Sequence, residues 1–161
     1  MRLTMRTNLA MRALMYCAVN AGTTVRKSEI AERCNASENH LGQVVRMLAR
    51  FDLVKAFRGR SGGIRLARPA DEISVGEVFR LFEFEHPFAE CFEGSVNTCP
   101  LKASCWLRPA LHKALEAFYA SLDALSLADL ITGNDDLDAL LRIQPAGMPA
   151  EAGRALGCPA A

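Results

Sequence analysis

The chain has 161 residues, half of them apolar, and a formal net charge of +1, which suits one compact unit or a small domain whose extension completes its core in a partner. No apolar run approaches the roughly 20 residues of a membrane span, and Met1-Arg2-Leu3-Thr4 opens no signal-peptide pattern, so a soluble, cytoplasmic protein is expected. The charge is uneven: residues 1–68 carry 13 Lys and Arg against 4 Asp and Glu, net +9, and residues 69–161 carry 6 against 14, net −8. A basic half of that kind is suited to a polyanion.

Residues 5–20 read as a first helix, with Leu9, Ala13, Tyr16 and Cys17 at the three-to-four spacing of a buried face. Ser28 is expected to cap a short helix, Glu29–Cys34, and Asn35-Ala36 to break it. Ser37 then caps a longer helix to about Phe51, with Leu41, Val44, Val45 and Leu48 as its apolar stripe. Two helices joined by so short a turn make a helix-turn-helix. Extended runs at Leu53–Phe57 and Ile64–Leu66 flank Arg58-Gly59-Arg60-Ser61-Gly62-Gly63, a hairpin with a cationic, glycine-rich tip. The expected fold class is mainly α with a small β wing: a winged helix-turn-helix domain over residues 1–68.

An amphipathic stretch from Ile73 to Phe82 leads into an irregular segment from Glu83 to Ser104. Beyond it Leu107, Leu111, Leu115, Phe118, Leu122 and Leu125 form the stripe of one long helix. Alanines at 110, 114, 117, 120 and 124 would let a partner helix approach closely. The seam is expected to make a two-fold homodimer; the alternative is a helix packed back on its own domain. Ser126-Leu127-Ala128-Asp129 reads as a capping box opening a final short helix through Ile131. The division is therefore a winged domain over 1–68, a connecting helix and cysteine loop over 69–106, a dimerisation and C-terminal helix region over 107–143, and a disordered Pro/Ala/Gly tail over 144–161.

Reading a duplex takes a rigid element in the major groove, with polar side chains near its N-terminus and cations on the phosphates. Ser37, Asn39, His40 and Gln43 occupy the first two turns of the long helix, beside Glu38, and Arg46 and Arg50 lie further along it. With Ser28 on the preceding helix and Arg58, Arg60 and Ser61 at the wing tip, suited to the narrow minor groove, these are the candidate DNA-contacting residues.

Of six cysteines, Cys91, Cys99 and Cys105 cluster as C-x7-C-x5-C. Structural zinc sites favour closely paired cysteines and four ligands, so the wide, odd-numbered set fits zinc poorly. An iron-sulfur cluster held by three thiolates keeps one iron open to another ligand or a signal. Spacing alone leaves three unligated thiols, or a redox pair, as the alternative. Glu85, His86, Glu90, His112 or a side chain donated across a dimer could supply a fourth ligand. No paired acid-base constellation, nucleotide loop or pocket signature points to an enzyme.

With these motifs in place, the chain resembles the family of winged-helix regulators that includes NsrR, IscR and RirA. The resemblance spans residues 1–143, from Met1-Arg2-Leu3-Thr4 through Asn39-His40-Leu41-Gly42-Gln43-Val44-Val45 and Arg58-Gly59-Arg60-Ser61-Gly62-Gly63-Ile64-Arg65-Leu66 to the cysteines and Ala128-Asp129-Leu130. It implies a dimeric repressor on palindromic promoter DNA, carrying an iron-sulfur cluster, [4Fe-4S] favoured over [2Fe-2S], on Cys91, Cys99 and Cys105. Asn39-His40-Leu41 and Val44-Val45 look most like the nitric oxide-sensing members. The position three residues after the last cysteine, a ligating histidine in IscR-type members, is Arg108 here. Some NsrR-type members complete the cluster with an aspartate of the partner subunit, and the matching position is Asn8. The cysteine spacing is equally that of RirA-type iron regulators, the alternative within the family.

Overall fold

The computed structural model describes residues 3–59, 62–84, 88–89, 91–92 and 97–143. The chain runs α1 (Met5–Val19), α2 (Lys27–Arg33), α3 (Glu38–Arg50), β1 (Val54–Phe57), β2 (Gly63–Leu66), α4 (Val75–Glu83), α5 (Leu107–Asp123) and α6 (Asp135–Leu141). Short 3-10 turns lie at Ala70–Glu72 and Lys102–Ser104. The helix-turn-helix is α2 and α3, and the wing is the hairpin of β1 and β2. The expected architecture is therefore present.

Local chemistry sets these boundaries. Thr4 caps α1, its hydroxyl accepting the Thr7 N–H, and Ser37 caps α3, its hydroxyl accepting the His40 N–H at 3.2 Å. Helices α2 and α3 end alike. Asn35 (φ 48°) and Asp52 (φ 53°) take the left-handed conformation, Ala36 N–H donates to the Ala31 carbonyl at 2.9 Å, and Leu53 N–H donates to the Leu48 carbonyl at 2.9 Å. Both are Schellman closures, made with Asn and Asp, the side chains that best tolerate this region after glycine.

In the wing, Val54 faces Leu66 and Phe57 faces Gly63. Val25 adds a third, bridge-length rung: its N–H donates to the Ile64 carbonyl at 3.0 Å, and Ile64 N–H returns to the Val25 carbonyl at 2.8 Å. A Cβ on Gly63 would stand 2.2 Å from that Val25 oxygen, so only glycine fits where the wing is tied to the head.

One contiguous core joins Leu9, Leu14, Tyr16, Ile30, Leu41, Leu48, Leu53 and Ile64 to Ile73, Val78 and Phe82 of the α4 region and to Leu127. Leu127 reaches it because its N–H donates to the Ile73 carbonyl at 2.8 Å. Helix α4 is locked to α5 by the Arg80 guanidinium, which grips the Asp123 carboxylate at 2.5 and 2.7 Å and lies 4.5 Å over the Tyr119 ring. Gly76 gives that crossing its closeness, since a Cβ there would meet Asp123 at 2.0 Å.

Three local expectations are corrected. Ser28 does not cap α2. The helix begins at Lys27 behind Arg26, because the Glu29 carboxylate reaches back to accept the Arg26 N–H at 2.9 Å and nucleates the turn earlier. The irregular segment opens one residue later than Glu83, which still belongs to α4. Ser126 and Asp129 do exchange the reciprocal bonds of a capping box, at 2.8 and 3.1 Å, but residues 127–133 form turns and no helix. The last helix instead starts beyond Gly133 (φ +73°), where the Asn134 side chain accepts the Leu137 N–H at 3.0 Å. The tail, 144–161, lies outside the described residues.

Candidate nucleic-acid interface and cysteine segment

Helix α3 has two unlike faces. Leu41, Val44, Val45 and Leu48 are buried, while Ser37, Glu38, Asn39, Gln43, Arg46 and Arg50 are exposed and His40 is half-buried. Asn39, Gln43, Arg46 and Arg50 recur at steps of four, three and four, so they share one outward stripe. The polar groups stand toward the N-terminal end and the cations toward the C-terminal end. Ser28 is exposed on α2, and Arg58 is exposed beside Gly59 (φ +104°) at the wing. Arg60 and Ser61 lie outside the described residues.

Two further groups shape this surface from within. Arg12 of α1 donates from Nη1 to the Cys34 carbonyl at 3.1 Å, fixing α1 to the turn that precedes α3. Arg65 lies 4.4 Å over the Phe57 ring, stiffening the wing stem. Sequence periodicity shows neither, because both pairings cross between elements.

Cys91, Cys99 and Cys105 are half-buried free thiols. Cys99 sits in a small turn: its N–H donates to Asn97 Oδ1 at 3.1 Å, and its carbonyl accepts the Lys102 N–H at 3.3 Å. Cys105 stands two residues before α5. Phe92, next to Cys91, stacks on His112 of α5 with ring centroids 6.0 Å apart and planes 15° apart. Among the described residues no three His, Cys, Asp or Glu side chains are gathered to hold a metal ion. The donor set nonetheless fits an iron-sulfur cluster in kind: three half-buried thiols free of disulfides. Glu85, His86 and Glu90 lie outside the described residues; Asn8 and Arg108 are exposed on the first turns of α1 and α5.

The other two described cysteines differ. Cys17 and Cys34 are buried. Burial pushes the Cys17 thiol up to about 12, with the neighbouring Cys34 adding to the effect. Burial also raises Cys34, opposed by the Arg12 guanidinium. Both are inert core thiols at neutral pH.

Around the cysteine segment the surface is apolar and open. Phe84 and Trp106, at its two ends, are each 88% exposed, and Leu101 and Leu107 are exposed with them. None of the 17 residues of α5 is buried by the described residues of its own chain.

A family profile for Rrf2, described as an iron-dependent transcriptional regulator, matches residues 3–133. The chain belongs to the Rrf2 family. It is 38% identical to the HTH-type transcriptional regulator NsrR of Halalkalibacterium halodurans over 90% of this chain and 100% of that protein. It is 43% identical to protein aau3 of Rhizobium meliloti over 89% and 94%. Among solved structures, T. potens IscR superposes with a TM-score of 0.66 at 26% identity, covering 90% of this chain and 94% of that one. The oxidised form of Staphylococcus aureus CymR gives 0.66 and 26%, covering 82% and 97%. This Rrf2 protein is thus an NsrR-like transcriptional regulator with a winged-helix fold. Among its described residues no helix is long and apolar enough to cross a membrane.

Proposed function

We propose that this Rrf2 protein is a cytoplasmic, homodimeric repressor of palindromic promoter DNA that senses nitric oxide through an iron-sulfur cluster on Cys91, Cys99 and Cys105. The observation that carries the reading is the placement of three free, half-buried thiols on a segment leaving α4 at Glu83 and entering α5 at Leu107, between the basic head and the long helix.

In this reading residues 1–68 are the DNA-binding domain, 69–106 the sensor and 107–143 the dimer-forming region. Leu111 and Leu115, half-buried on α5, pair with the same stripe of a second copy, while Phe118 and Leu122 further along it meet Phe79 of α4 and the core of their own chain. The pairing sets two α3 helices one helical turn of duplex apart. Asn39 and Gln43 read base edges, Arg46 and Ser37 hold phosphates, and Arg58 with Arg60 and Ser61 enters the minor groove; Ser28 and His40 border the same contact. Cys91, Cys99 and Cys105 hold the cluster, and Asn8 of the partner subunit stands near its fourth position. When bound, a [4Fe-4S] cluster supplies one iron without a thiolate ligand, open to nitric oxide.

Anaerobic isolation tests the scheme. Iron and sulfide in the protein, and operator binding that weakens on nitric oxide addition, are the expected results; protein without iron, or binding indifferent to nitric oxide, refutes it. The iron-dependent description of the matching family favours one second reading, a RirA-like iron regulator. In that case a chelator, with nitric oxide absent, abolishes binding.

A further inference from the structure

Glu83 is the last residue of α4, immediately before the cysteine segment. Its Oε1 accepts the Thr4 N–H at 2.9 Å, the Thr4 hydroxyl at 3.0 Å and the Thr7 hydroxyl. The two hydroxyl oxygens stand 2.9 Å apart, so either can donate to the other in place of the carboxylate. Thr4 is the N-cap of α1 and Thr7 lies in its first turn, fully buried. A helix start leaves N–H groups without helical partners and favours a negative charge. The first turn of α1 contains no acidic residue, so a carboxylate from 76 residues downstream fills that place. Two elements therefore meet at one side chain: the first helix of the head and the helix that enters the cysteine segment.

The far side of this junction leads to the DNA-reading surface. Helix α1 reaches the turn before α3 through the Arg12 bond to the Cys34 carbonyl, and Leu9, Leu14 and Tyr16 share the core with Leu41 and Leu48 of α3. A displacement of the start of α1 is passed on by a packed helix that cannot deform smoothly.

We infer that Glu83 is the positioning residue that couples the cysteine segment to the DNA-binding head. The carboxylate holds Thr4 and Thr7 and fixes the start of α1. A change at the thiols that shifts the end of α4 takes the carboxylate from Thr4 and Thr7, and α3 loses its fixed bearing. The inference rests on the cysteine segment being the sensor, as proposed above.

The test compares wild type with Glu83→Ala, Glu83→Gln and Thr7→Val, the last removing one hydroxyl while keeping side-chain shape. The segment is disturbed in two ways: by nitric oxide on anaerobically isolated protein, and by N-ethylmaleimide on metal-free Cys158→Ser protein, which leaves Cys91, Cys99 and Cys105 as targets while Cys17 and Cys34 stay buried. Readouts are amide exchange over residues 4–8, where the Thr4 N–H donates to the Glu83 carboxylate, and affinity for a duplex selected from a random pool by the wild-type protein. In wild type either treatment should speed exchange by about tenfold or more, the scale of losing hydrogen bonds to a charged acceptor, and weaken duplex binding. In Glu83→Ala and Thr7→Val exchange should start fast and change less than about twofold on treatment, whereas Glu83→Gln, which still offers an acceptor oxygen, should regain most of the response. A wild-type protein whose residues 4–8 ignore maleimide labelling, or a Glu83→Ala protein that responds like wild type, overturns the coupling. Isolation without iron and sulfide would instead defeat the cluster reading, and the maleimide arm would still decide the role of Glu83.

Discussion

The head and the arm of this molecule are built on different terms. In the head, α1, α3, the wing and α4 close around side chains with no solvent exposure, among them Leu14, Ile30, Leu41, Leu48 and Val78, and both left-handed helix ends are hydrogen-bonded within the chain. In the arm, the described residues of the cysteine segment form short turns, Phe84 and Trp106 at its ends stand in solvent, and α5 has no residue fully buried among the described residues. The head carries its own stabilisation. The arm depends on something added to it, whether a second copy along α5 or a group held by the thiols, and a sensor needs that dependence because only a loosely held element is shifted by a ligand.

The contrast can be broken most sharply from the head side. Leu48→Ala, which empties a fully buried site, should cost about 2–5 kcal/mol, read as a lower urea midpoint. Gly63→Ala must push the wing off Val25 and should cost about 1–3 kcal/mol while weakening DNA binding. Removal of the α3 cap by Ser37→Ala should cost about 1 kcal/mol, measured by thermal melting. The head should also report alkaline pH through Cys17. The unfolded thiol ionises near 9 and the folded one near 12, so between those values the folded state binds the extra proton and stability falls as pH rises through that window. Urea midpoints unchanged between pH 8 and about 10.5 would show that Cys17 is not buried as described. The smallest stability effect belongs to the arm. Cys99→Ala should shift the metal-free protein by less than about 0.5 kcal/mol yet abolish iron and sulfide binding, and a large loss of fold would erase the distinction between the two regions.

Much of the head is legible in the amino-acid order because its determinants are local. The three-to-four spacing of Leu41, Val44, Val45 and Leu48, the Ser37 cap and the glycines around Arg58 each act within a few residues. Ser28 misleads for the same kind of reason: a serine at the expected cap position is outweighed by Glu29, one residue on, bonding back to Arg26. Helix α6 had a readable signal, Asn134 followed by Leu137, Leu140 and Leu141, but the Ser126–Asp129 box drew the expected helix start upstream. The tie of α6 to the head was not readable. Asn20, buried in α1's C-cap, donates to the Leu141 carbonyl and accepts the Ile143 N–H, at 2.9 and 2.8 Å, across more than a hundred residues.

The sequence by itself determined the winged helix-turn-helix, the outward polar stripe of α3, and the identity of the three thiols, since periodicity, capping chemistry and residue type are properties of short stretches. Only the tertiary structure decided that Ile73 to Phe82 and Leu127 complete the core of the head, that Arg80 and Asp123 lock α4 to α5, and that Glu83 holds the start of a helix 79 residues earlier in the chain. Those pairings depend on which distant surfaces meet, and a hydrogen bond between residues 4 and 83 leaves no periodic trace in the order of the residues between them.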